Sequence, residues 1–356
     1  MPVFHFEQRQ VRNLVPAALD FHSRINLIAG ANACGKTSLL EAIYILGTGK
    51  SFRTQRLDQV ISHGANELTV FGRAGPAGDI AIGFRKFDDQ REIRVNGENQ
   101  DSTASLARYL PLQVIAPDTH FAFLRQSTHR RGTLDWGLFH VEQDFYRAWS
   151  DYRRLLRQRN AALKQRRPVA EFCAWDQALA AEGERIQAWR QDYVAQWNEV
   201  LAPLLQRLLG LDGVRLGLRL GWRKGQGLAE VLDEDAARDR ESGYTHSGPH
   251  RADLELLVDG RDARQEFSQG QWKLAIVALR LAQLAHFHNH TGETCTLLLD
   301  DLPAELDQER RARVMTELAS LSAQVFVTAT TPNEVPLAGF QTTQLFHVEH
   351  GRIWPE

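Results

Sequence analysis

The sequence predicts an α/β fold built around a phosphate-binding loop, with a mainly helical lobe inserted into it. Three observations predict this. A glycine-containing loop at 30–37 lies between a short apolar run and an amphipathic segment. A second apolar run, 296–301, ends in two acids. Between them, two long stretches carry apolar residues at helical spacing.

The elements follow in order. Residues 24–30 (R-I-N-L-I-A-G) form an apolar run that ends at a glycine and reads as a strand. Residues 37–47 then place Leu39, Leu40, Ile43 and Leu46 on one helical face. Segments 66–72, 79–86 and 92–95 alternate apolar and polar residues, and Asn96-Gly97 is a hairpin turn signal, so an antiparallel sheet is expected. In 143–166, Phe145, Trp149, Tyr152, Leu156 and Leu163 form one stripe; in 171–206, Trp175, Leu179, Ile186, Tyr193, Trp197, Val200 and Leu204 form another. Arg166-Arg167-Pro168 breaks the pattern between them, and an antiparallel helical hairpin is expected. Residues 214–222 alternate as a half-buried strand, a polar helix follows near 228–241, and a strand near 252–258. The last hundred residues return to α/β character: helix 271–287, strand 295–299, helix 307–321, strand 324–328.

Composition bounds the function classes. A chain of 356 residues with 43% hydrophobic content can bury a sizeable core in one large domain or two ordinary ones. No apolar run approaches the roughly 20 residues that span a bilayer. The opening MPVFHFEQRQ has no apolar signal core. A cytoplasmic location with no membrane partner is the expectation. Cys34, Cys173 and Cys295 are far apart without C-x-x-C spacing, which argues against a zinc site or a disulfide framework. A net charge of −2 means that any nucleic-acid binding must come from a local basic patch. On the first long helix, Arg153, Arg154, Arg157 and Lys164 lie mostly off the apolar stripe and could track a phosphate backbone.

Three motifs carry chemistry. G-A-N-A-C-G-K-T at 30–37 fits G-x-x-x-x-G-K-[ST] between a strand and a helix. Gly30 and Gly35 let the backbone wrap phosphates, and Ala31, Asn32, Ala33 and Cys34 supply N–H groups to the nest. Lys36 can reach β- and γ-phosphates, and the Thr37 hydroxyl can ligate Mg²⁺. T-L-L-L-D-D at 296–301 places Asp300 where a P-loop fold supports Mg²⁺. Asp301 falls where ABC-type ATPases commonly carry the glutamate that polarises the attacking water. F-S-Q-G-Q at 267–271 heads a long helix and looks like the ABC signature, with Ser268, Gln269, Gly270 and Gln271 as an anion site completing a second subunit's pocket. A-E-L-D at 304–307 resembles the D-loop.

Taken together, these segments resemble the RecF family, SMC-like ATPases without the long coiled coil. The resemblance rests on G-A-N-A-C-G-K-T-S-L-L-E-A-I at 30–43, D-W-G-L-F-H-V-E at 135–142, L-R-Q-R-N-A-A-L at 156–163, S-G-P-H-R-A-D-L at 247–254, F-S-Q-G-Q-W-K-L at 267–274 and L-L-L-D-D-L-P-A-E-L-D at 297–307. It implies an α/β ABC/SMC-type P-loop NTPase head (lobe I, residues 1–118 and 245–356) with an inserted, mainly helical lobe II (119–244). It also implies ATP and Mg²⁺ as ligands, an ATP-dependent homodimer, single-stranded or gapped DNA as a partner, and RecO and RecR as co-workers in recombinational repair, replication and the SOS response. Departures are visible. Ala33 stands where many relatives have glycine, no clear Q-loop glutamine appears near Ala116-Pro117-Asp118, and threonines at 326–331 stand where ABC proteins carry a switch histidine. With aspartate at 301 as well, the resemblance implies weak hydrolysis used as a switch. Arg12 resembles the basic residue that SMC-type heads bring near the nucleotide. A transporter ATPase subunit is a rival reading, but Gly35 and Ser268 lie too far apart for one. A structural SMC head is another, but the long heptad runs it requires are absent.

Overall fold

In the computed structural model, which describes residues 1–117, 119–168 and 173–356, the N-terminal segment builds an antiparallel sheet. Its strands are β1 (Val3–Arg9), β2 (Ala17–Asp20), β4 (Glu67–Ala74), β5 (Ile80–Phe87), β6 (Gln90–Val95) and β7 (Glu98–Asn99), in the order β2-β1-β4-β5-β6-β7. Alternation sets the faces: Leu68, Val70, Ile82 and Phe84 point inward and are buried. Asn96 and Gly97 both take positive φ, 49° and 84°, as a two-residue hairpin turn between twisted strands demands.

β3 (Ile25–Ala29), buried at all five positions, feeds the glycine loop and then α1 (Lys36–Thr48). α1 is not a surface helix with one apolar stripe. It packs against both β4 and β5 of the antiparallel sheet and against β8 (Leu112–Ile115) and another strand of the second sheet. Ten of its residues are buried, among them Glu41, which is fully enclosed. Arg12 meets that carboxylate with two hydrogen bonds of 2.8 Å, Ser51 donates to it at 2.5 Å, and Arg53 stands 3.6 Å away.

Two compact units are resolved by their internal packing: Met1–His120 with Arg207–Leu209 and Gln269–Glu356, and Phe121–Gln206 with Gly210–Ser268. The inserted unit therefore runs past the boundary expected at 244/245. Residues 245–268 pack within it, because the strand near 252–258 pairs with the one near 214 rather than with the head. This unit contains α2 (Ser127–Val141), α3 (Phe145–Lys164), most of α4 (Asp176–Leu209), and the antiparallel strands β9 (Val214–Arg219), β10 (Asp253–Val258) and β11 (Arg261–Asp262). The polar helix expected at 228–241 is broken into Leu228–Glu234 and Ala236–Ser242. Asp118 and residues 169–172, on which the Q-loop reading and the start of the second long helix partly rest, lie outside the described residues.

α3 and α4 run antiparallel side by side. Asp144 meets Arg185, Phe145 meets Trp189, and Arg159 meets Asp176. The buried face of α3 is turned relative to the apolar stripe: Leu155 is buried rather than Leu156, and Arg159 lies on the buried face, fully enclosed. Arg159 is held by Asp176 at 2.7 Å, Asp239 at 2.6 Å and the Thr245 hydroxyl at 2.9 Å. A buried cation survives only with such partners. The D-W-G and G-P-H segments also meet here: Arg190 pairs with Asp135 and donates to the Pro249 carbonyl at 2.7 Å. The Tyr152 hydroxyl lies 2.6 Å from His250 Nδ1, and His250 Nε2 lies 3.1 Å from the Thr245 carbonyl. A neutral imidazole protonated at Nε2 satisfies both contacts.

The chain then returns to the head through α5 (Gln269–Thr291), β12 (Cys295–Leu299), α6 (Gln308–Ser320), β13 (Ala323–Ala329), β14 (Gln344–Glu349) and β15 (Arg352–Pro355). The second sheet has the order β15-β14-β3-β13-β12-β8, parallel except for β15. Phe21 joins the two sheets, stacking on Phe6 and meeting Phe326 and Phe346 edge-on.

Burial lowers the pKa of His250 to about 4. The folded unit keeps this histidine neutral while the unfolded chain protonates it near 6.5. The unfolded state therefore binds more protons between those values. The stability that His250 contributes is complete above pH 6.5 and is lost as pH falls toward 4, by roughly 3 kcal/mol. Chemical denaturation at a series of pH values should show this slope, and the slope should shrink in His250→Asn.

Candidate nucleotide-binding site

The glycine loop is shaped by its neighbours. A Cβ on Gly30 would lie 2.2 Å from the Val348 carbonyl of β14, so the close approach of that strand requires glycine there. Gly35 has φ 127°, a conformation that side chains rarely adopt. Ala33 takes φ 62°, left-handed in spite of its methyl group, at a cost of roughly 1–2 kcal/mol. Asn13 anchors the loop: its side chain donates to the Ala33 carbonyl at 3.4 Å and accepts from Ser38 at 2.9 Å.

α1 begins at this loop with no side-chain cap and no acid in its first turn. Its first N–H groups therefore point unneutralised into the loop, which makes an anion site. Lys36 Nζ is held over the loop by the carbonyls of Gly30 and Ala31, at 2.7 and 2.9 Å. Ala31, Asn32 and Ala33 are exposed, whereas Cys34 is buried against the loop.

The acidic strand meets the loop here. Thr37 donates its hydroxyl to Asp300, at 2.9 and 3.0 Å from the two carboxylate oxygens, across 263 residues of sequence. The Thr328 hydroxyl lies 3.0 Å from the same carboxylate. Burial pushes the Asp300 pKa up, the two hydroxyls pull it down, and neighbouring Asp301 raises it. The charge of Arg53, in the same cleft, also lowers it. A buried carboxylate faced by hydroxyls is a hard-oxygen donor set, which suits Mg²⁺. Thr37 and Asp300 are the residues that would hold it.

Around these groups lies an open cleft of about 760 Å³, lined by Arg12, Asn13, Asn32, Ala33, Gly35, Lys36, Thr37, Ser38, Arg53, Ile61, His63, Asp300, Asp301 and Thr328. Arg12 thus reaches the cleft wall while its guanidinium is braced by buried Glu41. Arg53 and Asn13 are not among the residues the motifs point to, whereas Thr328 is one of the threonines at 326–331 that stand in place of the switch histidine. A basic residue in the S-F-R-T turn just after α1 is the one local signal for Arg53. For Asn13 the signal is tertiary.

Gln269, Gly270 and Gln271 head α5 and are not among the cleft-lining residues; Ser268, just before them, is exposed. Asp307 caps α6 by accepting from the Arg310 amide at 2.9 Å. Arg153, Arg154, Arg157 and Lys164 are all exposed on α3, in the inserted unit. Arg153, Arg157 and Lys164 share a face, and Arg154 pairs with Asp151 at 3.1 Å.

This geometry can be set beside that of known proteins. The family model described as RecF/RecN/SMC N terminal domain matches residues 3–353. The chain is 43% identical to the DNA replication and repair protein RecF of Chromohalobacter salexigens over the whole of both chains. The chain belongs to the RecF family. It is also 39% identical to RecF of Vibrio atlanticus, over 99% of each chain. The structure of the recombination mediator protein RecF-ATP in the RecFOR pathway superimposes with a TM-score of 0.87 at 26% identity, covering 100% of this chain and 97% of that one. The Smc head domain from Pyrococcus furiosus matches at a TM-score of 0.59 and 15% identity, a likeness of fold alone. The expected fold class, an ABC/SMC-type head with an inserted lobe, agrees with these neighbours. Among the described residues no helix is long and apolar enough to cross a membrane.

Lys36→Met removes the loop's cation and should weaken ATP binding at least roughly tenfold, the size of a lost charged hydrogen bond. Asp300→Asn should leave binding that no longer responds to added Mg²⁺. Titration with a fluorescent ATP analogue, with and without Mg²⁺, measures both, and a thermal melt checks that the head stays folded.

Proposed function

We propose that this chain is an ATP-operated switch of recombinational DNA repair. The observation that carries the reading is the Thr37–Asp300 hydrogen bond, which joins the uncapped phosphate loop and the acidic strand in one cleft. ATP binds with its phosphates on residues 30–37, with Lys36 at the β- and γ-phosphates. Thr37 and Asp300 would hold Mg²⁺, which would supply neutralisation of the phosphate charge.

Asp301 lines the same cleft and polarises the attacking water. The water oxygen bonds to the γ-phosphorus, the bond to the β–γ bridging oxygen breaks, and ADP and phosphate leave. Aspartate is a methylene shorter than glutamate and no switch histidine follows, so turnover is slow and the bound state persists.

The signature segment supports a dimer. Ser268 is exposed, and Gln269, Gly270 and Gln271 lie outside the cleft of their own chain, so an anion at that helix start must come from elsewhere. A second copy, closing head to head, supplies it as the γ-phosphate on its own loop. Closure shapes a surface for single-stranded or gapped DNA, and RecO and RecR are the co-workers in loading recombinase, by analogy with the RecFOR pathway of the RecF-ATP structure.

Ser268→Arg should spare ATP binding by the monomer and abolish ATP-driven dimerisation, read by light scattering with and without ATP and Mg²⁺. Mixing it with Lys36→Met should return partial activity, because one composite pocket then carries both defects and the other neither. Normal dimerisation of Ser268→Arg would reduce the signature to a helix start.

For DNA, the exposed α3 cations are the proposed contacts. Arg153→Ala with Arg157→Ala should flatten the dependence of log affinity on log salt by about 1.4 for single strands, two phosphate contacts at about 0.7 each. Fluorescence anisotropy at several salt concentrations measures the slope, and an unchanged slope would place the DNA elsewhere.

A further inference from the structure

Thr328 lies at the C-terminal end of β13, fully buried, and its hydroxyl has two partners. It donates to Asp300 Oδ1 at 3.0 Å and accepts the backbone N–H of Asp301 at 2.7 Å. One proton and two lone pairs allow both bonds at once. Asp301 itself is left-handed, with φ 52° and ψ 44°, a conformation disfavoured for a residue with a Cβ. It heads the short helix Leu302–Glu305 but makes no side-chain cap bond there.

Adjacent residues leaving an extended strand would normally point to opposite sides. Here both acids line one cleft. The left-handed turn at Asp301 makes this possible, and the Thr328 hydroxyl holds the amide of that turn while also holding the neighbouring carboxylate. We infer that Thr328 is the positioning residue for hydrolysis, the side chain that fixes Asp301 relative to Asp300. It acts through the two acids. The inference rests on the reading that Asp301 polarises the attacking water.

Valine matches threonine in shape and strand preference and lacks the hydroxyl. Thr328→Val should lower kcat for Mg²⁺-ATP hydrolysis at least tenfold and change ATP affinity less than threefold. Thr328→Ser keeps the hydroxyl and should restore kcat to within threefold of the parent. Phosphate release gives kcat, and fluorescent-nucleotide titration gives affinity separately. Asp301→Asn is the control. If the parent does not hydrolyse ATP, or if Asp301→Asn hydrolyses normally, the assignment of Asp301 fails and this inference falls with it. If Asp301→Asn is slow but Thr328→Val turns over like the parent, the role of Thr328 alone is overturned. The same follows if Thr328→Ser is as slow as Thr328→Val, since the hydroxyl would then not be what matters. Should the valine variant not fold, Thr328→Ala against Thr328→Ser makes the same comparison.

Discussion

The burial of α1 between two sheets is the constraint on which the head depends. A helix packed on nearly every side cannot tilt, so its uncapped N-terminus stays aimed at the loop in front of it. That burial also encloses the Glu41 carboxylate, which must then be paired. Arg12 pairs with it and in doing so is fixed at the cleft wall. Removing one member of such a pair typically costs about 3–5 kcal/mol. One packing decision thus fixes both the phosphate nest and a cation beside it.

The parallel sheet makes the second contribution. The order β14-β3-β13-β12 puts the C-terminal ends of strands from opposite ends of the chain side by side. The loop after β3, Thr328 on β13 and the acids after β12 all emerge at that edge, where α/β folds place their ligands. The loop's glycine is a consequence of the same order, because β14 brings the Val348 carbonyl to where a side chain at residue 30 would stand.

The inserted unit shows a different economy. Two of the segments that carry the family resemblance, around Asp135 and His250, are joined by Arg190 and Tyr152. They carry no chemistry of their own among the described contacts. Arg159, Arg190 and Arg130 are each buried against a carboxylate, so specificity of packing here depends on ion pairs as well as on apolar fit.

The sequence by itself determined the elements and the chemistry of short segments. Strand alternation, the Asn96-Gly97 turn and the glycine loop all act through local sterics and are readable without a fold. The phosphate loop and the acid-ended strand were legible for the same reason, since each rests on backbone groups or side chains within a few residues. Tertiary structure alone decided the rest. It turned α3 so that Arg159 rather than Leu156 faces inward, because two acids distant in sequence wait there. It drew residues 245–268 into the inserted unit through the pairing of β10 with β9. It also gave Thr328 its two partners and Asn13 its hold on the loop. Contacts between residues far apart in sequence leave no local pattern, and only helix packing and the order of strands in the sheet bring them within hydrogen-bond reach.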